Sequence, residues 1–289
     1  MQLDNRLLLP DGRQFGYARY GRDGGIPAFY FHGLPGSRRE GQIFHEACLR
    51  AGVQLIAPDR PGYGLSDPVD GSRLLRWPQL IAQLADHLGF ERFHLLAISG
   101  GAPYALACAA LVPDRVRGAG ICCGLGEVSH RELRLGMAPQ ARLGFWLAER
   151  SAVGLDLSYG TLTRLAARHL PELSIRIMAR LNGEPDRSVL RQPDVKRLFA
   201  ASLHEAFRQG SAGGLADMCT AVQPWPFDPS GISSLQLWHG RRDAVVPWTH
   251  SERLARRVPM ARLHDMGGEG HFSLPVRYAA AVVDAVISV

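Results

Sequence analysis

The chain has 289 residues, 46% of them hydrophobic and 21% charged, a balance that excludes a disordered or fibrous protein and allows one large domain, with or without an insertion. Its formal charge of +6 is carried almost entirely by scattered arginines, with Lys196 the one lysine, so a solvated basic surface is expected and no nucleic-acid partner. No apolar run approaches the roughly 20 residues of a membrane span and no secretory signal is read near Met1; with Cys48, Cys108, Cys122, Cys123 and Cys219 reading as buried free thiols, a cytoplasmic protein without a membrane partner is expected.

The first elements are short β-like runs. Residues 3–9 and 14–20, joined by Pro10-Asp11-Gly12, read as an antiparallel hairpin. From Pro27 a different rhythm begins: apolar run, glycine loop, helix. A strand over 28–31 leads into His32-Gly33-Leu34-Pro35-Gly36, and one over 53–57 into a loop reaching Asp67. An amphipathic helix over 78–88 follows, with Pro78 suited to its first turn and Gly89 to its end. Then come a strand at Phe93–Ile98, an Ala-rich helix at Ala102–Leu111 and a strand over 116–123. Strands alternating with helices imply parallel pairing, because each parallel connection needs a crossover of a dozen or more residues.

After residue 124 only helical periodicity remains, over 133–147, 162–170, 175–181, 195–207 and 215–222. The α/β rhythm resumes with a strand over 235–238, a helix over 248–257, a strand over 261–266 and a closing helix over 276–286. Residues 125–230 therefore read as a helical insertion between two parts of one core, 1–124 and 231–289. No internal repeat or low-complexity stretch is present.

Four segments carry chemistry. In Ala97-Ile98-Ser99-Gly100-Gly101 a buried strand runs into a serine and a helix leaves at once. A serine on so sharp a turn needs small neighbours two positions away, which Ala97 and Gly101 supply; the alternative is a helix N-cap serine. In Phe31-His32-Gly33-Leu34 the loop offers backbone N–H groups, so Leu34 and Gly100 are the candidate donors to a developing oxyanion, with His32 a brace for the loop. Asp243, after the strand ending near Trp238, and His271, in Gly267-Gly268-Glu269-Gly270-His271, complete a nucleophile, base and acid. Read alone, Asp243 is an ordinary turn aspartate; Glu127 is a weaker alternative acid. Neither a phosphate-binding loop nor a metal-ligand spacing is found, so no cofactor and no metal are expected.

The order Ser99, Asp243, His271, together with the His32-Gly33 loop, Asp59-Arg60-Pro61-Gly62-Tyr63-Gly64-Leu65-Ser66 and Gly270-His271-Phe272, resembles the α/β-hydrolase superfamily, and most its lid-bearing bacterial members. Ala97 departs from the usual first glycine of the serine motif. The resemblance implies a mostly parallel eight-stranded sheet with helices on both faces and an inserted helical lid. It also implies acyl transfer in which Ser99 attacks a carbonyl, His271 relays the proton and Asp243 holds the imidazole. A serine at this turn argues against the related epoxide hydrolases and haloalkane dehalogenases, which use an aspartate. A Gly-Gly-Ser-Trp-Gly turn, the mark of proline iminopeptidases, is missing.

The insertion's Met137, Phe145, Trp146 and Met218 are candidate lining for an apolar substrate site, with Met178, Phe199, Phe207 and Trp225 also in that segment. The partner implied is a small-molecule acyl compound, and a carboxylic ester is the leading substrate class. An acyltransferase, a lyase or a carbon–carbon bond hydrolase on the same scaffold, and a catalytically silent receptor, are the alternatives. Whether the chain is a monomer or a homodimer is open at this stage.

Overall fold

A computed structural model describes residues 1–69, 71 and 73–288. Its strands are β1 (Gln2–Leu8), β2 (Gln14–Gly21), β3 (Ile26–Phe31), β4 (Val53–Pro58), β5 (Phe93–Ile98), β6 (Val116–Cys122), β7 (Leu235–His239) and β8 (Ala261–Asp265). They form one sheet in the order β1-β2-β4-β3-β5-β6-β7-β8. The β1–β2 and β2–β4 pairings are antiparallel and the remaining five are parallel. The expected hairpin is present: Leu9 donates to the Arg13 carbonyl at 2.8 Å, and Gly12 sits at φ 83°.

The central strands are apolar on both sides because both faces are covered. Successive side chains point to opposite faces of a strand. Phe29, Phe31, Leu95 and Ala97 accordingly join one core, with Trp77, Ile81, Leu106 and Leu254. Ala28, Tyr30, Leu96 and Ile98 join the other, with Phe44, Cys48, Val282 and Val286. The first core is roofed by α2 (Arg73–His87), α3 (Ala102–Leu111) and α11 (Thr249–Arg257), the second by α1 (His45–Ala51) and α12 (Ser273–Ile287). Burying each Val, Leu, Ile or Phe side chain among these contributes about 1.5–3 kcal/mol. Two boundaries differ from expectation. α2 begins at Arg73, which places Pro78 inside the helix. Burial of Leu74 and Trp77 extends the apolar face backwards and offsets a mid-helix proline's cost of about 3 kcal/mol. α1, unread in the sequence, ends with Gly52 at φ 69°, a left-handed helix stop.

Between β6 and β7 the described elements are helical: α4 (Pro139–Arg150), α5 (Ala152–Leu155), a π-turn at Asp156–Gly160, α6 (Thr161–His169), α7 (Pro171–Leu181), α8 (Asp186–Leu190), α9 (Pro193–Ala206) and α10 (Ala212–Ala221). The helix expected from 133 starts instead at Pro139, because Gly136 at φ 87° breaks the chain after a short 3-10 turn at Arg131–Arg134. Among the described residues no helix is long and apolar enough to cross a membrane.

Buried polar contacts tie these helices to the sheet. Asp217, on α10, receives Arg60 Nε at 2.8 Å, Arg73 Nε at 3.1 Å, Tyr104 Oη at 2.5 Å and Tyr63 Oη at 3.0 Å. Glu205, on α9, accepts from Arg38, whose guanidinium also bonds Asp59. Ser202 and Ser37 bond each other's backbone and hydroxyl groups. Burial alone would raise the Asp217 pKa, but Arg60 and Arg73 hold it below the usual carboxylate value. Removing one partner of a buried ion pair strands the other, at a cost of about 3–5 kcal/mol. Asp217→Ala is therefore expected to lower unfolding free energy by about that amount in urea titration; a loss below about 1 kcal/mol would contradict this anchor.

Candidate active site

The local sequence explains the position of Ser99. β5 is buried along its whole length and ends at Ile98. The chain then turns through Ser99-Gly100-Gly101 into α3, with Pro103 in the helix's first turn. Ser99 has φ 53°, a strained conformation for a side-chain-bearing residue, and it is 9% exposed. A plain helix N-cap serine would have extended backbone, so the strained turn is what the structure forms.

The Gly33-Leu34 loop packs against this turn. A Cβ added to Gly100 would lie 2.5 Å from Leu34 Cβ and 3.1 Å from Leu34 N, and one on Gly33 would lie 3.7 Å from Ser99 Cβ. The Leu34 nitrogen thus lies close to Gly100, beside the serine. The Gly33 N–H is already taken by Glu40 Oε2 at 2.6 Å. The loop rests on Arg60, which bonds the carbonyls of His32 and, at 2.8 Å, of Gly33. His32 is a brace, as expected: its Nδ1 bonds the Gly33 carbonyl at 2.9 Å and its Nε2 accepts from Arg60 N at 3.1 Å. Burial, reinforced by Arg60, holds its pKa well below the ordinary histidine value.

The structure brings His271 and Asp243 together. His271 Nδ1 lies 2.8 Å from Asp243 Oδ2. Asp243 Oδ1 accepts from the amides of Val245 and Val246, at 2.9 and 2.8 Å. His239 Nε2 bonds the Val246 carbonyl at 2.7 Å and stands 3.3 Å from Asp243 Oδ2. Burial would raise the Asp243 pKa, but His271 and His239 hold it well below the carboxylate range. For His271 burial works downwards, and the adjacent Asp243 carboxylate more than reverses it, so its pKa lies above the ordinary value.

Two contacts connect this pair to the serine turn. Leu125 N donates to the Ser99 carbonyl at 3.0 Å, and two residues earlier Cys123 Sγ donates to the Gly270 carbonyl at 3.7 Å. No hydrogen bond joins Ser99 Oγ to His271 among the described residues.

Other sequence candidates fall elsewhere. Met137, Phe145 and Met218 are buried in one cluster with Leu125, Val128 and Val246, against which Leu34 and Val245 also pack. Trp146 is not brought to them: it is 48% exposed, with the Arg150 guanidinium 4.8 Å from its ring. The apolar face of α4 is narrow and points Phe145 inward, so its neighbour in sequence points out. Glu127 is spoken for by the Trp225 amide at 2.7 Å and Arg257 at 2.6 Å. Cys123, Asp243 and His271 could present three ligand atoms within 4.8 Å of one another. Burial and Asp243 raise the Cys123 thiol well above its ordinary pKa. Glu40 and Asp217, unread in the sequence, hold the Gly33 loop directly and through Arg60.

With this geometry in place, three comparisons locate the chain among known proteins. A family model described as "alpha/beta hydrolase fold" matches residues 29–278. A 2-hydroxymuconate semialdehyde hydrolase of Pseudomonas putida is 29% identical over 261 residues, covering 86% of this chain and 82% of that one. Among solved structures, an alpha/beta hydrolase fold protein from Nakamurella multipartita superimposes with a TM-score of 0.71 at 20% identity, covering 98% and 96% of the two chains. A thermophilic esterase from Thermogutta terrifontis does so at 0.69 and 20% identity, covering 99% and 98%.

The buried carboxylate beside His271 yields a direct test. An NMR titration of the His271 imidazole is expected to give a midpoint above 6.5, falling in Asp243→Asn, where the negative charge is gone. A wild-type midpoint at or below 6.5 would contradict the described pairing.

Proposed function

The chain belongs to the α/β-hydrolase family, whose model it matches over residues 29–278, and from that membership we propose that it is a serine hydrolase acting on a carboxylic ester. One observation carries this reading: a strained serine at φ 53° packs against the Gly33-Leu34 loop and is linked through the ends of β6 and β8 to a hydrogen-bonded His–Asp pair.

In this mechanism Ser99 Oγ attacks the acyl carbonyl carbon while His271 Nε2 takes its proton. The proton is returned to the leaving alcohol as the carbon–oxygen bond breaks, and water then hydrolyses the acyl-enzyme by the same relay. Asp243 fixes the Nδ1–H tautomer and stabilises the imidazolium. The amides of Leu34 and Gly100 receive the oxyanion, a donor being worth about 10²–10³-fold in rate. The helices between β6 and β7 act as a cap, with Met137, Phe145 and Met218 supplying apolar surface near Leu34. Each buried arginine described already faces a carboxylate: Arg38 with Asp59, Arg60 and Arg73 with Asp217, Arg134 with Glu149. That favours an uncharged acyl group over one anchored by a fixed cation.

A second reading draws on the Pseudomonas putida relative. A muconate semialdehyde has no ester linkage, so its hydrolysis breaks a carbon–carbon bond next to a carbonyl. The same serine, base and oxyanion donors suit that attack.

Three measurements test the proposal. A fluorophosphonate probe is expected to form an adduct on Ser99, seen by peptide mass spectrometry and lost in Ser99→Ala. Folded wild-type protein that takes no adduct would sink the serine-hydrolase reading. Turnover of p-nitrophenyl esters of increasing chain length, against products from a 2-hydroxy-6-oxo-dienoate, separates ester from carbon–carbon cleavage; Ser99→Ala is expected to reduce the favoured reaction by about 10⁴-fold or more. Because His271 must be neutral to accept a proton and its pKa is raised, kcat/KM is expected to rise with pH through an acid limb above pH 6.5.

A further inference from the structure

His271 begins the turn that enters α12, and the first amides of a helix have no partner within it. The residue preceding α12, Phe272, offers no side-chain cap. The acceptor comes instead from the inserted helices, 85 residues earlier in the chain. Asp186, at the start of α8 and 2% exposed, accepts from His271 N at 2.9 Å on one oxygen, and from Phe272 N and Ser273 N at 2.9 and 2.8 Å on the other. The Gly270 amide is satisfied separately by Ser273 Oγ at 2.9 Å. A Cβ on Gly270 would lie 2.5 Å from Asp186 Oδ1, so only glycine there admits the carboxylate. No basic side chain forms a salt bridge with Asp186 among the described residues.

We infer that Asp186 is a positioning residue: it holds the backbone of the His271 turn from the inserted segment, so that the general base is correctly placed only while α8 is docked. This rests on the serine-hydrolase reading above. The Asp243 bond fixes the ring plane and tautomer, but the ring's location depends on its backbone. Three charge-assisted bonds to consecutive amides fix that backbone more rigidly than a loop could alone. The groups facing His271 are Asp243 after β7, Asp186 on α8, Glu40 on the turn after β3 and the protonated Cys123 thiol after β6. Both Asp186 and Glu40 act to raise the imidazole pKa, after Asp243.

Asp186→Asn keeps one acceptor oxygen for Phe272 and Ser273 but turns an NH₂ towards the His271 N–H, and it removes the charge. Expected are a fall in kcat of about 10- to 100-fold, the scale of a small misplacement of a catalytic group, with KM within about 3-fold, slower fluorophosphonate labelling of Ser99, and an acid limb moved to lower pH. Glu205→Gln is the control, since Glu205 anchors α9 to Arg38 without touching the His271 turn; it should lower stability and leave kcat and the limb unchanged. Should Asp186→Asn fail to fold, Gly270→Ala displaces the carboxylate sterically and is expected to lower kcat similarly without moving the limb as far. Wild-type kcat and pH profile in a folded Asp186→Asn or Gly270→Ala variant, with wild-type Ser99 labelled normally, would overturn the inference alone. An equal limb shift in Glu205→Gln would overturn it too, by assigning the effect to general loosening. Wild-type protein unlabelled at Ser99 would remove the serine-hydrolase reading and this inference together.

Discussion

The ion pair between Arg60 and Asp217 supports most of what lies above the sheet. A guanidinium without access to water is tolerable only with a counter-charge and bonded N–H groups. Arg60 gives its N–H groups to the carbonyls of His32 and Gly33 and to Asp217. Those carbonyls belong to the loop that packs against the serine turn, and Asp217 comes from 157 residues further along the chain. Arg73 and Tyr104 close the same carboxylate from α2 and α3. The His32–Leu34 loop, two core helices and α10 therefore form one electrostatic unit, in which no member can shift without exposing another's charge.

Three inserted carboxylates do three different jobs around this unit. Asp217 neutralises arginines. Glu205 meets Arg38, which is also bonded to Asp59, whose own carboxylate receives the Leu65 amide. Asp186 forms no salt bridge among the described residues and is held by backbone amides. The distinction matters because a carboxylate paired with arginine has its field cancelled locally, whereas one held by neutral N–H groups still projects charge on to its surroundings. Of the three, Asp186 is the one whose charge bears on His271.

How much of this was legible beforehand follows from the range of each interaction. The strands were readable because two covered faces demand runs that are nearly all apolar, such as Phe93–Ile98 with His94 its one polar member, and the Ser99 turn because small residues must flank it. The His32 brace was legible from its loop. α1 was overlooked although Gly52 marks its end, since its seven residues are too few to show a period. α8 was overlooked for the same reason, and it carries Asp186. Asp186, Glu205 and Asp217 look like solvated surface acids; only partners 85 to 167 residues away bury them. Trp146 shows the converse, an aromatic residue whose type suggests a lining and whose phase on α4 leaves it half exposed.

The chain leaves the sheet at the end of β6 and returns in β7, which pairs directly alongside it from Ala119 with Leu235 to Cys122 with Trp238. Entry and exit are adjacent, so the intervening helices could be replaced in evolution or by graft without disturbing any strand register. The three carboxylates set the terms of such an exchange. A transplanted segment lacking an acid at the Asp217 position would leave two arginines stranded, and one lacking Asp186 would leave the start of α12 unfinished. Modularity here is a matter of matching sockets of charge, and a swap that respected only shape would disable its host.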